Sequence, residues 1–394
     1  MIKEQSIFLE KIQKEFESDS EVQQEALKML VETGLPNKKS EAYKYTPISK
    51  FLEKKADLSL NQPATFNEND RYNTEGSHLV IKNGRFSSED SIIEEGLKVR
   101  SAKISKGKHD PLSLINTVLS KEEIHIQASG NLSPIFIYQI NSIGFSNPRI
   151  KVASEKNQEL TLVEKSINLP GTFINSYIEF DVAANARINF SKVQAYSSDV
   201  IAHETVFVKQ SRDSRFFVNT FSFSGEVIRN NVTINLEGEN CEGHMHGLYL
   251  LNGNTHVDNN TSVDHIKPNS YSNEVYKGIL DEKSTGVFNG KIYVRPDAQK
   301  TNAFQSNNNI LLSDDATINT KPQLEIWADD VKCSHGCTTG QMDEDAIFYL
   351  RARGIDEKTA KGMILNAFAS QAMEKVPVVE VQEELMLLIQ KNLY

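Results

Sequence analysis

The stretch ADDVKCSHGCTTG, residues 328–340, gathers Cys333 and Cys337, two of the three cysteines in the chain, around His335. Thiolates and neutral imidazoles are ligands for zinc and iron, and a thiol beside an imidazole can also serve as a nucleophile with its base. A closed metal site takes about four ligands, and this stretch offers at most three. The single-residue gaps are also tight for three donors on one ion. A metal held here therefore needs donors from elsewhere, another chain included. The plain alternative is a glycine-bearing turn with a buried cysteine.

Other clusters are weaker. CEGHMHG places Cys241, His244 and His246 at C-x2-H-x-H spacing, but its glycines and the strand that follows read as a turn with Cys241 as a small core residue. His256 and His265, in THVDNNTSVDHIKP, alternate with polar residues and read as hydrogen-bonded within the fold. Asp329 and Asp330 could be a carboxylate pair for acid–base work, except that neighbours on a strand point to opposite faces. The sequence contains no G-x-x-x-x-G-K-[ST], G-x-S-x-G or G-x-G-x-x-G, so the P-loop route to nucleotide hydrolysis is closed.

The elements that must position these residues follow from composition and rhythm. With 39% apolar and 24% charged residues the chain is ordinary soluble protein, neither disordered nor membranous. A net charge of −10 argues against a phosphate backbone as the main partner, because nucleic-acid binders need a basic face. MIKEQSIFLEKIQKEFE lacks the apolar core of a secretion leader, and no run approaches the ~18 apolar residues of a membrane span. Three cysteines make no disulfide framework. That usage fits a reducing cytoplasm.

The first region, residues 1–122, is read as mixed helical and strand-bearing. Ile7, Phe8, Ile12 and Phe16 recur at helical spacing, and a second helix runs from about Glu21 to Gly34, with Pro36 behind it. HLVIKNGRFSS reads as a strand and an Asn-Gly turn, and DPLSLINTVLS as a short helix. Across residues 123–335, runs such as PIFIYQI, RFFVNTFSF, NNVTINL and GKIYV are separated by Gly, Asn, Asp and Ser. That is the rhythm of a β-sandwich, a barrel or a parallel β-helix. The pairs and triplets Asn230–Asn231, Asn259–Asn260 and Asn307–Asn309 favour the β-helix, with amides stacked at its turns. Residues 336–394 return to helical period: Asp343 opens one helix and Gly354 stops it. Asp356 caps a second with Ala360, Ile364, Ala367 and Phe368 on one face, and a third follows Pro377.

Read together, YSNEVYKGILDEKSTGVFNGKIYVRPDAQKTNAFQSNNNILLSDDATINTKPQLEIWADDVKCSHG resembles the shared core of the SufB/SufD family, scaffold proteins of the Suf iron–sulfur cluster assembly machinery. The likeness is dense from Arg229 to Gly354, ends with FYLRARGI, and extends weakly back to EAYKYTPI. The resemblance implies a right-handed parallel β-helix flanked by N- and C-terminal helical regions. It implies a non-catalytic scaffold in complex with SufB, met through the β-helix, and with the ATPase SufC, met through the C-terminal helices. SufC would supply the nucleotide site. The motif CSHG, with the chain's length and its lack of a sulfur-receiving cysteine segment, resembles the SufD side of the family rather than the SufB side, where CSHE is usual.

The resemblance further places a transient cluster, shared with SufB, at the interface between the two proteins. His335 and a SufB cysteine would hold it, with Cys333 beside them, and a reduced flavin is associated with the complex. Many relatives carry Ala where this chain has Cys337, which is read as a small buried residue in preference to an extra ligand. Two alternatives stand beside this reading. One is a SufB-like homodimeric scaffold. The other is a carbohydrate-active β-helix enzyme, which would need a leader and clustered carboxylates or basic residues on one sheet face.

Overall fold

The computed structural model describes residues 6–18, 20–37, 39–55, 63–108, 110–130, 132–142 and 144–393. From Thr172 onward, successive strands alternate between two sheets, and each pairs in parallel with the strand two before it and, except for the last two strands, with the strand two after it. Register partners such as Arg187, Arg215, Glu242, Tyr271, Asn302 and Lys332 lie 27 to 31 residues apart, the length of one coil. The fold is therefore mainly β, a parallel β-solenoid of about 7 turns.

One corner of several successive coils needs a residue in the left-handed region, and at most of them the sequence supplies a short polar side chain that tolerates it. Asn185, Asp213, Asn240 and Asn269 have φ of 56°, 61°, 56° and 63°. The Asn185 amide donates to Asn157 and that of Asn240 to Asp213, both at 2.9 Å, so this corner carries the side-chain ladder. The asparagines expected at turns lie elsewhere. Asn230 and Asn259 are buried register partners in mid-strand, bonded amide to amide at 3.0 Å, and Asn307–Asn309 are also in mid-strand. Sequence gives their clustering but not their place in the coil.

Between the sheets the lumen is packed with Phe180, Phe190, Phe216, Val218, Met245, Val257 and their neighbours. Glycines sit where bulky lumen residues need room. A Cβ on Gly247 would come within 2.3 Å of the Tyr276 ring.

The N-terminal region is mixed α/β. Helices α1 (Ile7–Glu15), α2 (Glu21–Thr33), α3 (Ile48–Lys55) and α4 (Pro111–Leu119) bury Phe8, Leu30, Leu52 and Ile115 with Phe173, Ile201 and Val227 of one sheet. Ser6 and Asp110 cap α1 and α4 through their side chains, and Gly34 ends α2 at φ 75°. The Asn-Gly turn is present, with Asn83 and Gly84 at φ 49° and 77° between antiparallel strands Ser77–Lys82 and Arg85–Ile92. The first of these strands pairs in parallel with Ile135–Asn141, so the sheet begins before the division drawn at residue 123.

Between α2 and α3, the segment 41–47 is bound to the solenoid. Thr46 donates to Asp258 at 2.5 Å, and the Arg229 guanidinium lies 4.0 Å over the Tyr43 ring.

At the other end, α5 (Glu344–Arg351), α6 (Glu357–Met373) and α7 (Val379–Leu393) follow the last strand, Val331–Gly340. The division at residues 335 and 336 thus falls inside a strand. Asp343 and Asp356 cap α5 and α6 as their positions suggest, each accepting a backbone N–H at 3.0 Å. The buried stripe of α6 is Ala360, Gly362, Leu365, Ala369 and Met373, rotated from the expected face, and Ala367 is exposed. Leu365 and Ala369, with Leu385 and Ile389 of α7, cover Phe221, Leu248 and Ile279 on the outer face of the other sheet.

Candidate functional site

The solenoid is open at its C-terminal end. The strands Thr317–Ile326 and Val331–Gly340 end their respective sheets, each with a neighbour on one side only. Cys333, His335 and Cys337 lie on the second of them, so the expected turn is a strand. Their register partners Ala303, Gln305 and Asn307 are buried and face the lumen. With a period of two residues, all three side chains share the inward face of the last coil. No coil covers them: Cys333 is half-buried, while His335 and Cys337 are exposed.

Each has a different setting. Cys333 packs with Leu324 and Val331 on a small apolar cluster of Ile292, Val294, Ala298, Ala303 and Ala328, and burial raises its thiol pKa. Cys337 is not the buried small residue that was expected. Its Sγ is 3.1 Å from the Thr320 hydroxyl across the mouth of the lumen. His335 makes no side-chain hydrogen bond among the described residues.

Same-side positions on a strand are about 6.8 Å apart, so Cys333 and His335, or His335 and Cys337, can reach one ion together. About 13 Å separates the first and third positions, which keeps all three from closing on one ion. Among the described residues no group of three or more His, Cys, Asp or Glu is placed to hold a metal. The donor set is open toward solvent and incomplete within this chain.

Below the mouth the lumen turns polar. Gln305, one coil beneath His335, is 3% exposed, and Glu274, one coil further in, is 0% exposed. Burial pushes the Glu274 carboxyl up to about 7, against the pull of a Thr261 hydroxyl donated at 2.6 Å. Under Cys337, Asn307 donates to the Tyr249 hydroxyl at 2.9 Å and accepts from Asn309 at 2.8 Å. Sequence inspection passes over Gln305 and Glu274, because only the coil length places them under His335.

The other clusters do not assemble. Cys241 is buried in the lumen core as expected, but His244 and His246 belong to a strand and not to a turn. Alternation turns them to the opposite side from Met245 of the lumen core. His244 stacks on Phe217 with centroids 4.4 Å apart, and His246 bonds to Asn219 at 3.1 Å. His265 pairs with Ser272 at 2.8 Å, while His256 meets Thr46 of the N-terminal segment at 2.9 Å instead of a neighbour in its coil. Burial lowers the pKa of all four, His246 and His265 to about 4, which keeps them neutral. Asp329 and Asp330 are exposed in the turn before the last strand.

Sequence comparison agrees with this architecture. The SufBD core domain of the SUF system for FeS cluster assembly matches residues 136–368. The chain is 31% identical over 377 residues to the iron–sulfur cluster assembly protein SufD of Escherichia coli, covering 89% of this chain and 88% of that protein. It is 33% identical over 248 residues to a SufBD family protein of Synechocystis, covering 60% and 55%. Against SufD of Bacillus subtilis it is 24% identical over 277 residues, covering 68% and 62%. A core-domain match over more than half the chain, with SufD likeness across nearly all of it, places the chain: it belongs to the SufB/SufD family of iron–sulfur cluster assembly proteins.

Proposed function

We propose that this chain acts as the SufD-type subunit of an assembly with a SufB-type solenoid and the SufC ATPase, a scaffold on which iron–sulfur clusters are built without turnover of its own. The observation that carries this reading is the open last coil, where the inward face of an edge strand, paired on one side only, presents Cys333, His335 and Cys337. A free strand edge is a template for another chain. A second solenoid docked there would continue both sheets and cover Ile326 and Trp327, which are 40% and 49% exposed. It would also bring its own donors to an incomplete set.

In this reading the cluster is cargo. His335 supplies a neutral imidazole, Cys333 a neighbouring thiolate, and a cysteine of the partner completes the attachment. Cys337 is a lesser contributor. SufC docks on α5, where Phe348 and Tyr349 are 73% and 56% exposed beside Arg351 and Arg353, while α6 and α7 each spend one face on the solenoid. A cytoplasmic setting belongs to the same reading and rests on the free cysteines. Among the described residues no helix is long and apolar enough to cross a membrane.

The test is anaerobic co-expression with candidate SufB and SufC chains, followed by purification through this chain and iron and sulfide analysis. A ternary complex carrying both is the expected result. Failure to co-purify, or an iron-loaded dimer of this chain alone, would refute the assignment.

A further inference from the structure

The lumen floor beneath His335 carries an unmet demand for hydrogen bonds. Both polar atoms of the Gln305 carboxamide are buried without a partner, and so is Oε1 of Glu274 in the coil below. Glu274, Gln305 and His335 are consecutive register partners on one sheet and face the same way, about 4.8 Å from strand to strand. Leaving a buried amide group unsatisfied costs more than turning a side-chain torsion does.

Space decides where the amide can look. Across the lumen it lies against bare backbone: a Cβ on Gly290 would come within 2.2 Å of Gln305 Nε2 and 2.8 Å of its Cδ. On that side no acceptor is offered, and there is no room to retreat. Below, Glu274 Oε1 has no bonded donor, and the Gln305 amide is already near enough to pull that carboxyl's pKa down against its burial. Above, His335 is exposed and has no side-chain partner among the described residues.

We propose that Gln305 is the positioning residue for His335: its amide donates downward to Glu274 and its carbonyl oxygen accepts the imidazole N–H, so that one fixed ring nitrogen is left free at the open end. The inference rests on the reading of His335 as a cluster ligand. It adds that the chain prepares the ligand before any partner or iron arrives. An imidazole with one nitrogen tied down is held in one tautomer and orientation, and the opposed nitrogen becomes the donor. Partners of this kind are worth ~10–100-fold in metal affinity. Gln305 touches neither cargo nor partner and acts only through the ring.

The experiment uses the full-length chain alone, labelled with 15N in histidine, and reads the His335 ring nitrogens by long-range 1H–15N correlation above pH 7.5. His335→Ala identifies the signals. Wild-type protein is expected to show one dominant neutral tautomer. Gln305→Met, which keeps volume and removes both polar atoms, is expected to give averaged nitrogen shifts typical of a free imidazole. Gly290→Ala, which drives a methyl group into the amide while leaving Gln305 in place, should do the same if the methionine variant folds poorly. Averaged shifts in the wild type, or an unchanged single tautomer in a folded variant, would overturn the proposal. Complexes co-purified with SufB and SufC supply the second readout: Gln305→Met should lower iron retention under chelator challenge by ~10–100-fold. Normal iron in His335→Ala would instead defeat the ligand reading and leave the tautomer result standing.

Discussion

The attachment of the N-terminal segment to the solenoid depends on one buried charge pair, and removing its acid should release the segment. Arg229 and Asp258 form an ion pair with side chains 1% and 2% exposed. Asp258 also accepts from Thr46 at 2.5 Å, Arg229 lies 4.0 Å over the Tyr43 ring, and the Tyr43 hydroxyl donates to Asp110 at 2.6 Å. In Asp258→Ala the guanidinium cannot shed its proton, so it stays dry and unpaired at a cost of about 3–5 kcal/mol or finds water. The route to water lies past residues 41–47, because sheet backbone closes the other side. At about 1.4 kcal/mol per decade, the open population of this segment should rise by roughly two to three and a half decades. Hydrogen exchange followed by mass spectrometry measures it. Protection of residues 41–55 should fall by that factor, while the distant strand Tyr271–Leu280 keeps its own. Thr46→Val, which removes the bonds to Asp258 and His256 but spares the ion pair, should change the same amides by less than Asp258→Ala does. A change below tenfold in Asp258→Ala, or an equal loss in both regions, would refute the reasoning.

Three further outcomes follow from local geometry. Burial alone would raise Glu123, but bonds from Ser105, Arg149 and His125 hold its pKa down at about 2. A depressed carboxylate contributes stability that is present above its unfolded value near 4.5 and lost as pH falls toward 2. Glu123→Gln should therefore lower the melting temperature at neutral pH and flatten its fall below pH 4.5. An acid limb as steep as that of the wild type would argue against it. Gly247→Ala forces a methyl group against Tyr276 and should cost about 1–3 kcal/mol in denaturant unfolding, and an unchanged midpoint would mean the lumen yields there. Phe348→Ser with Tyr349→Ser, both exposed on α5, should abolish SufC capture without changing thermal stability, and retained capture would move the SufC surface elsewhere.

Much of the fold was legible because its signals are local. Caps at Asp343 and Asp356, the stop at Gly34 and the Asn83–Gly84 turn each depend on a few neighbouring residues. Strand rhythm narrowed the region to a sandwich, a barrel or a parallel β-helix for the same reason. What stayed hidden depends on register across 27 to 31 residues. The mid-strand place of Asn230 and Asn259, the outward turn of His244 and His246, and the column Glu274–Gln305–His335 emerge only when coils are laid over one another. The face of α6 was misjudged because Leu365 and Ala369 are chosen by the sheet they cover, and the sequence around Ala367 is apolar on more than one side. Within the site, Cys333 and His335 were legible as an incomplete donor set. The exposure of Cys337 was not, because a residue on the last coil has nothing above it to bury it.

The most direct test of the account compares iron and sulfide in matched complexes purified without oxygen: wild type, His335→Ala, His335→Gln and Cys337→Ala, each co-expressed with SufB and SufC. His335 is exposed on the lumen face of an edge strand paired on one side only, so its removal should leave folding and assembly intact. Both His335 variants should assemble at wild-type stoichiometry and carry almost no cluster absorbance, Gln included, because a carboxamide cannot replace an imidazole nitrogen on iron. Cys337→Ala should load normally. Wild-type iron and sulfide in His335→Ala would contradict the account and leave CSHGC as the open rim of a solenoid with no part in holding the cluster.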